Sequence, residues 1–492
     1  MDNAVGVPAN FSYLCKDTLN FNQNLNFMNS FSQIVADITA ALWGWPTIIL
    51  LLGTHIFLTI RLRFPQLKIF KAIKLSFTKD PDSTGDVSQF GALATSLAAT
   101  IGTGNIIGVA TAIALGGPGA VLWCWITGVF GIATKYSEGL LAIKYRVKTS
   151  DGTMLGGPMY ALERGLKMKW LAVVFCIFTA IAALGIGNTV QANAISTLLS
   201  EPGLFGAGFE GIPTWVTGLV LAVTVALVII FGVKGIANVC STLVPFMAIF
   251  YVLGCLLIIG MNWEYMGETI SLIVRAAFDP AAAGGGFIGA SIMMAARFGI
   301  ARGLFSNESG MGSAPIVAAA AQTRNPVRQA LVSSTATFWD TVVVCALTGL
   351  VLVSSIIAHP DISYADGAKL TQEAFGKIPY VGSIILTVGL VTFAFSTILG
   401  WSYYAEKAIE YLAGKKTIYV YRGIWVLLVF VGAIVDLSLV WNIADGTNAL
   451  MAIPNLISLL LLSGVVVAET RKYLWNNKLD DYDTSEVPVI ED

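Results

Sequence analysis

Residues 91–120 read GALATSLAATIGTGNIIGVATAIALGGPGA, and how this stretch is resolved decides the fold. The run is long and apolar enough to cross a bilayer, yet its centre, Ile101-Gly102-Thr103-Gly104-Asn105, has the composition of a turn. Each glycine inside a helix costs roughly 1 kcal/mol relative to alanine. In lipid an interruption is worse, because each unpaired backbone N–H or C=O costs several kcal/mol unless protein or a wet cavity satisfies it. A break at mid-membrane therefore points to a binding site.

The rest of the chain supplies the membrane. Of 492 residues 56% are hydrophobic and 12% charged, with mean hydropathy +0.75, whereas about a quarter of an average soluble domain is charged. Apolar runs of membrane-crossing length fall near 38–60, 88–114, 118–142, 170–198, 213–232, 236–260, 286–320, 327–357, 380–403, 421–441 and 447–470. These eleven runs describe an all-α polytopic membrane protein. The stretch 264–280 carries Glu264, Glu268, Arg275 and Asp279, too polar to span and suited to the interface. The first 37 residues lack the basic and apolar regions of a cleaved signal peptide and read as an extracytoplasmic tail, with a short interfacial helix around 23–36. A net charge of −1 leaves no nucleic-acid footprint. Five of the six cysteines fall in apolar runs, which suggests neither a disulfide framework nor a metal pair.

Orientation follows from Lys and Arg. With the N-terminus outside, 22 basic residues fall in the inner loops and tail and four outside them. The bias holds loop by loop and puts the C-terminal tail, 471–492, in the cytoplasm of a cell (inner) membrane.

A second interruption lies in the seventh run, at Phe298-Gly299-Ile300-Ala301-Arg302-Gly303 followed by Ser306-Asn307-Glu308-Ser309-Gly310-Met311-Gly312-Ser313. The two broken runs are five apart. Five is odd, so a structure that repeats at this interval reappears upside down, as in secondary transporters built from inverted repeats with discontinuous helices. The predicted halves are 87–260 and 286–470, preceded by one extra helix at 38–60.

The breaks carry chemistry. In the second run the first half-helix ends near Ile101 with free carbonyls, which suit a cation, and the second begins near Gly104 with free N–H groups, which suit a carboxylate. Carbonyls near Phe298 and Gly299 would accept from an ammonium group. Together these describe an α-amino acid site, against the plainer reading that the glycines only let helices pack closely. The hydroxyls of Ser396 and Thr397 in the ninth run suit a weakly held monovalent cation such as sodium, although each can instead bond its own preceding turn. Gln191 can reach a substrate or act as interhelical glue, and Trp401, one turn after Thr397, can wall a pocket or pack a core. The intramembrane Lys135 and Glu138 are expected to pair or snorkel, and Arg297, Arg302, Glu308 and Asp340 to form gate contacts or, for the acids, a proton relay. His55 reads as structural.

Ala99-Thr100-Ile101-Gly102-Thr103-Gly104-Asn105-Ile106, Leu115-Gly116-Gly117-Pro118-Gly119-Ala120, Gly156-Gly157-Pro158-Met159-Tyr160 and Arg302-Gly303-Leu304-Phe305-Ser306-Asn307-Glu308-Ser309-Gly310-Met311-Gly312-Ser313-Ala314-Pro315 resemble motifs of the alanine or glycine:cation symporter family. The resemblance spans most of 40–470 and implies sodium-coupled uptake of alanine, glycine or related amino acids through a LeuT-type core of five plus five inverted helices. Gly102-Thr103-Gly104-Asn105 is also similar to the Gly-x-Gly-Asn of neurotransmitter-type sodium symporters. That match puts the substrate carboxylate on the N–H groups of Thr103 and Gly104. It puts sodium on the carbonyls of Ala98, Ile101 and Phe393 and the hydroxyls of Ser396 and Thr397. The fourth run has no tyrosine to cap the carboxylate, so Gln191 takes that place. The eighth run has no asparagine for a second sodium, so Asn105 is assigned to substrate. No cofactor is expected beyond the coupling ion.

The alternatives are proton coupling through Glu308 or Asp340 and, in a different class, a channel or amino acid sensor. An enzyme is disfavoured, because no metal-ligand cluster or nucleophile–base pair stands at mid-membrane.

Overall fold

The computed structural model describes residues 32–80, 83–206, 208–279, 291–364, 366–378, 381–435 and 438–490. Residues 1–31 of the expected N-terminal tail and the first residues of the expected second half lie outside them. The helices that matter below are α1 (Ser32–Arg61), α2 (Gln89–Thr100), α3 (Gly104–Gly116), α4 (Ala120–Lys144), α5 (Lys169–Leu199), α6 (Thr214–Ile229), α7 (Gly232–Met261), α8 (Met266–Phe278), α9 (Ile292–Asn307), α10 (Pro315–Ala318), α11 (Pro326–Ala358), α12 (Gly367–Gly376), α13 (Val381–Ala413), α14 (Thr417–Ile434) and α15 (Leu439–Leu461).

Each apolar run coincides with helix, but the runs are not equivalent. Among the described residues seven helices are long and apolar enough to cross a membrane, or eight when the bent pair α2–α3 counts as one span. α6 is shorter, α4 carries Lys135 and Glu138, and α9 has 16 residues. The first helix already includes Ser32, ahead of the expected 38.

α2 starts where Ser88 Oγ accepts the Gly91 N–H at 3.0 Å, and it stops at the glycines the sequence singled out. The chain bends by 53° between α2 and α3. The second interruption falls elsewhere than expected. α9 runs unbroken through Phe298–Gly303 and ends at Asn307; the turn that follows is built on left-handed Glu308 (φ 54°), Gly310 (φ 90°) and Gly312 (φ 88°). Gly299 and Gly303 serve close packing. A Cβ on Gly299 would lie 2.3 Å from the Ala120 carbonyl oxygen, and one on Gly303 2.2 Å from Thr127 Oγ1, so only glycine lets α9 lie this close to α4.

At one end of the bundle the Lys- and Arg-rich loops meet. Asp80, just ahead of α2, pairs with Arg324 at 2.8 Å and Arg328 at 2.9 Å and accepts from Gln89 Nε2 at 2.8 Å. Arg328 also reaches Asp480 at 2.8 Å. Asn325 caps α11 through Arg328 N–H while its Nδ2 donates to the carbonyls of Leu479 and Asp481, both at 2.9 Å. The C-terminal segment then lays β3 (Val489–Ile490) parallel to β1 (Val147–Thr149), which pairs antiparallel with β2 (Met154–Leu155).

Candidate functional site

The first break is a set of displaced hydrogen bonds. In a continuous helix the Ala98 carbonyl would accept from Gly102 N–H, but that N–H donates to Asn105 Oδ1 at 2.9 Å. Likewise Asn105 N–H donates to the Gly102 carbonyl at 3.2 Å instead of to Ile101. Two carbonyls at the end of α2 are thereby freed, and the hydroxyls of α13 meet them. Thr397 Oγ1 lies 3.0 Å from Ala98 O, 3.3 Å from Ile101 O and 3.0 Å from Phe393 O. Ser396 Oγ lies 3.2 Å from Ala98 O and 2.9 Å from Phe393 O. The five residues that the resemblance assigned to sodium thus converge, from two helices almost 300 positions apart in sequence.

Five neutral oxygens gathered at such spacings have the chemistry that suits a singly charged hard cation. A divalent ion ordinarily demands carboxylates, and among the described residues no cluster of three or more His, Cys, Asp or Glu side chains is placed to hold a metal.

Beside this cluster stands the donor side of the break. Thr103 N–H donates to Gln191 Oε1 at 3.3 Å, and Gln191 Nε2 donates to the Ile186 carbonyl at 2.9 Å. Gln191 thus links α5 to the break, and it does so on the N–H expected to receive a carboxylate. Gly102 joins the two sides: a Cβ there would lie 2.5 Å from Thr397 Oγ1 and 3.3 Å from Gln191 Oε1. Thr103 and Gln191 therefore adjoin the oxygen cluster of α2 and α13 through Gly102.

Asn105 is spent on protein groups on both sides of its amide rather than open to substrate, a correction to its expected place. Its Nδ2 donates to Asp340 Oδ1 at 2.7 Å and approaches Cys345 Sγ at 3.3 Å, so both of its amide atoms are held by protein. Asp340 also accepts from Ser306 Oγ at 3.0 Å and Thr341 Oγ1 at 2.6 Å. The second broken helix enters here rather than at 298–299: a Cβ on Gly104 would lie 3.3 Å from the Phe305 ring and 3.4 Å from Ser306 Cα. Phe298 instead lines a cavity of about 190 Å³ with Trp43, Arg302, Phe305 and Asp445, and Gly299 abuts α4. The carbonyls of both are inside a continuous helix, so they are not ammonium acceptors at the break.

Trp401 is buried one turn beyond Thr397. Its indole N–H donates to Glu308 Oε1 at 2.9 Å, and it packs so tightly on Gly187 of α5 that a Cβ there would lie 2.3 Å from Trp401 Cβ. Glu308 thereby ties α9 to the helix of the hydroxyl pair. Lys135 and Glu138 neither pair nor snorkel: Lys135 is 1% exposed, and Glu138 holds the turn after α9. His55 is buried and bonds Thr134 Oγ1 through Nδ1 at 2.8 Å.

Sequence reasoning missed Phe305 and Ser306. It also missed that wide, π-type turns at Gly104–Gly108, Gly185–Thr189 and Phe338–Cys345 supply residues around the first break. The polar Ser306-Asn307-Glu308 run was the available signal for the first; helical periodicity carries none for the second.

The family model described as the sodium:alanine symporter family matches residues 28–486. The chain belongs to the sodium:alanine symporter family. It is 51% identical to the sodium/alanine symporter AgcS of Methanococcus maripaludis over 451 residues, covering 90% of this chain and 97% of that one. It is 37% identical to the probable sodium/glutamine symporter GlnT of Bacillus subtilis over 454 residues, covering 91% and 92%. Among solved structures, that of MhsT in complex with L-phenylalanine superposes with a TM-score of 0.56 at 15% identity, covering 80% of this chain and 95% of that one. This family member is a multi-pass, LeuT-type membrane protein and a sodium-coupled amino acid symporter.

Proposed function

We propose that the protein imports alanine and other small neutral amino acids, glycine among them, each with sodium, by alternating access across the cell membrane. The supporting observation is the shared residue Gly102, flanked by Thr397 Oγ1 of the cation cluster and by Gln191 Oε1 on the Thr103 N–H. Sodium would be held by the carbonyls of Ala98, Ile101 and Phe393 and the hydroxyls of Ser396 and Thr397. A substrate carboxylate would take the N–H groups of Thr103 and Gly104, displacing the Gln191 oxygen while the Gln191 amide nitrogen stays on the Ile186 carbonyl.

An ion at the first position orders the end of α2 and so fixes the N–H groups at the second. A ligand drives a cycle only by differential affinity for its states, and here both ligands act on one backbone turn. Phe305 and Trp401 bound the space for the side chain in this reading, which favours small substrates; one methylene in an apolar pocket is worth only about 1–3 kcal/mol, so selectivity among alanine, glycine and serine is modest.

The basic end would face the cytoplasm, with the N-terminus outside. Residues 87–260 and 286–470 would be the two inverted repeats, preceded by α1.

The test is uptake of labelled alanine into proteoliposomes under an inward sodium gradient, with unlabelled glycine, serine and glutamine as competitors. Uptake that persists without sodium and follows a pH gradient would transfer coupling to a buried acid, Asp340 or Glu308, and overturn the sodium assignment.

A further inference from the structure

The two breaks are satisfied by different chemistry. At the first, the backbone N–H groups of Gly102 and Thr103 are held by the neutral amides of Asn105 and Gln191. At the second, Glu138 Oε1 of α4, in a side chain 2% exposed, accepts Gly310 N–H at 3.0 Å, Gly312 N–H at 3.1 Å and Asn455 Nδ2 at 2.7 Å. Asn455, on α15, also donates to the Gly310 carbonyl at 2.9 Å. One carboxylate oxygen and one amide therefore clamp both sides of a turn whose glycines lie in left-handed backbone at φ 90° and 88°.

The packing adds to the clamp. A Cβ at Gly310 would lie 2.8 Å from Leu51 of α1, and one at Gly312 2.8 Å from Pro158 and 2.9 Å from Phe175 of α5. The turn is wedged among α1, α4, α5 and α15. Hydrogen bonds to an ionised acceptor are roughly twice as strong as neutral ones, and Glu138 takes all three on Oε1, its Oε2 being buried without a hydrogen-bond partner among the described residues. Lys135, one helical turn before Glu138 and itself buried, supplies a positive charge on the same face.

We propose that Glu138 is a positioning residue that makes the turn at 310–312 the fixed pivot of the transport cycle. α9 and α10 would then rock about this pivot, while substrate and ion act on α2 and α3. This assignment rests on the symport reading above.

The experiment uses the full chain with Glu138→Gln, which keeps the shape and removes the charge. Hydrogen exchange read by mass spectrometry on purified protein reports the clamp without reference to any substrate. Exchange across 309–313 is expected to rise at least tenfold, with exchange across 101–105 unchanged. In proteoliposomes the alanine KM is expected to stay within about threefold while kcat falls about tenfold or more. Should Glu138→Gln fail to fold, Asn455→Ala removes the other half of the clamp and carries the same expectations. Unchanged exchange at 309–313 overturns the clamp. A loosened turn with wild-type kcat overturns the pivot, and so does a loss of binding in step with transport, since that marks a ligand or general structural role. A wild-type protein that takes up no amino acid with sodium defeats the symport reading and with it the pivot, while the exchange data still decide whether Glu138 clamps the turn.

Discussion

Replacing Thr397 with alanine should raise the sodium requirement by about tenfold and leave transport at saturating sodium close to wild type. Thr397 Oγ1 stands 3.0–3.3 Å from three carbonyl oxygens, those of Ala98, Ile101 and Phe393, and is one of five oxygens in the cluster. An interaction with a charged partner contributes about 1.5–3 kcal/mol net. Without the ion the same hydroxyl donates to a carbonyl, worth about 0.5–1.5 kcal/mol, and that bond is lost too. The difference between the two states is therefore about 1–1.5 kcal/mol, or about five- to thirteenfold in sodium affinity. The assay is a sodium titration of labelled alanine uptake in proteoliposomes. Thr397→Ser, which keeps the oxygen, should stay within about twofold of wild type. Thr392→Ala is the control on the same helix, since Thr392 Oγ1 is spent on the Val388 carbonyl at 2.6 Å. If Thr397→Ala and Thr392→Ala give the same sodium curve, the cation is not held at this cluster. If Thr397→Ala lowers the maximal rate without moving the half-saturating sodium concentration, the hydroxyl acts on a conformational step instead.

Gly102→Ala should damage both ligands together, because its Cβ would lie 2.5 Å from Thr397 Oγ1 and 3.3 Å from Gln191 Oε1; sodium and alanine titrations should both shift, and a shift in only one would separate the two sites. Gln191→Ala removes a neutral hydrogen bond to Thr103 N–H and the amide expected to meet the substrate, so alanine KM should rise about tenfold at saturating sodium with the sodium curve nearly unmoved, as read from initial uptake rates. Gly187→Val should lower stability by about 1–3 kcal/mol through overpacking against Trp401, seen as an earlier thermal transition in detergent; an unchanged transition would show that the helices part easily there. Asp480→Asn removes one of the two carboxylates on Arg328 while leaving the Asp80 pair, and should raise hydrogen exchange across 476–490 without altering sodium affinity. Equal exchange in the two proteins would mean that the strand pairing of β3 alone holds the tail.

Much was legible in one dimension. Bilayer thickness and the cost of unpaired backbone groups are enough to turn apolar runs and a Gly-x-Gly interruption into membrane helices and a broken span, and adjacent hydroxyls at 396–397 mark a helix face suited to a cation. Those signals are local, and the residues that carry them lie where the sequence put them. What the sequence could not decide is which of two polar stretches in the seventh run unwinds. Glycines at 299 and 303 and glycines at 310 and 312 look alike in composition. The first pair sits against α4 at under 3 Å, where small size serves packing, and the second pair takes positive φ, where glycine serves a turn. Only the neighbouring helix distinguishes them. The same holds for Asn105, whose partner Asp340 is 235 positions away, and for Glu138, whose three donors come from other parts of the chain. The sequence by itself determined that this chain crosses a membrane and interrupts a helix there. Tertiary structure decided which side chain answers each interrupted hydrogen bond, because a buried donor must find its acceptor wherever the packing brings one within 3 Å.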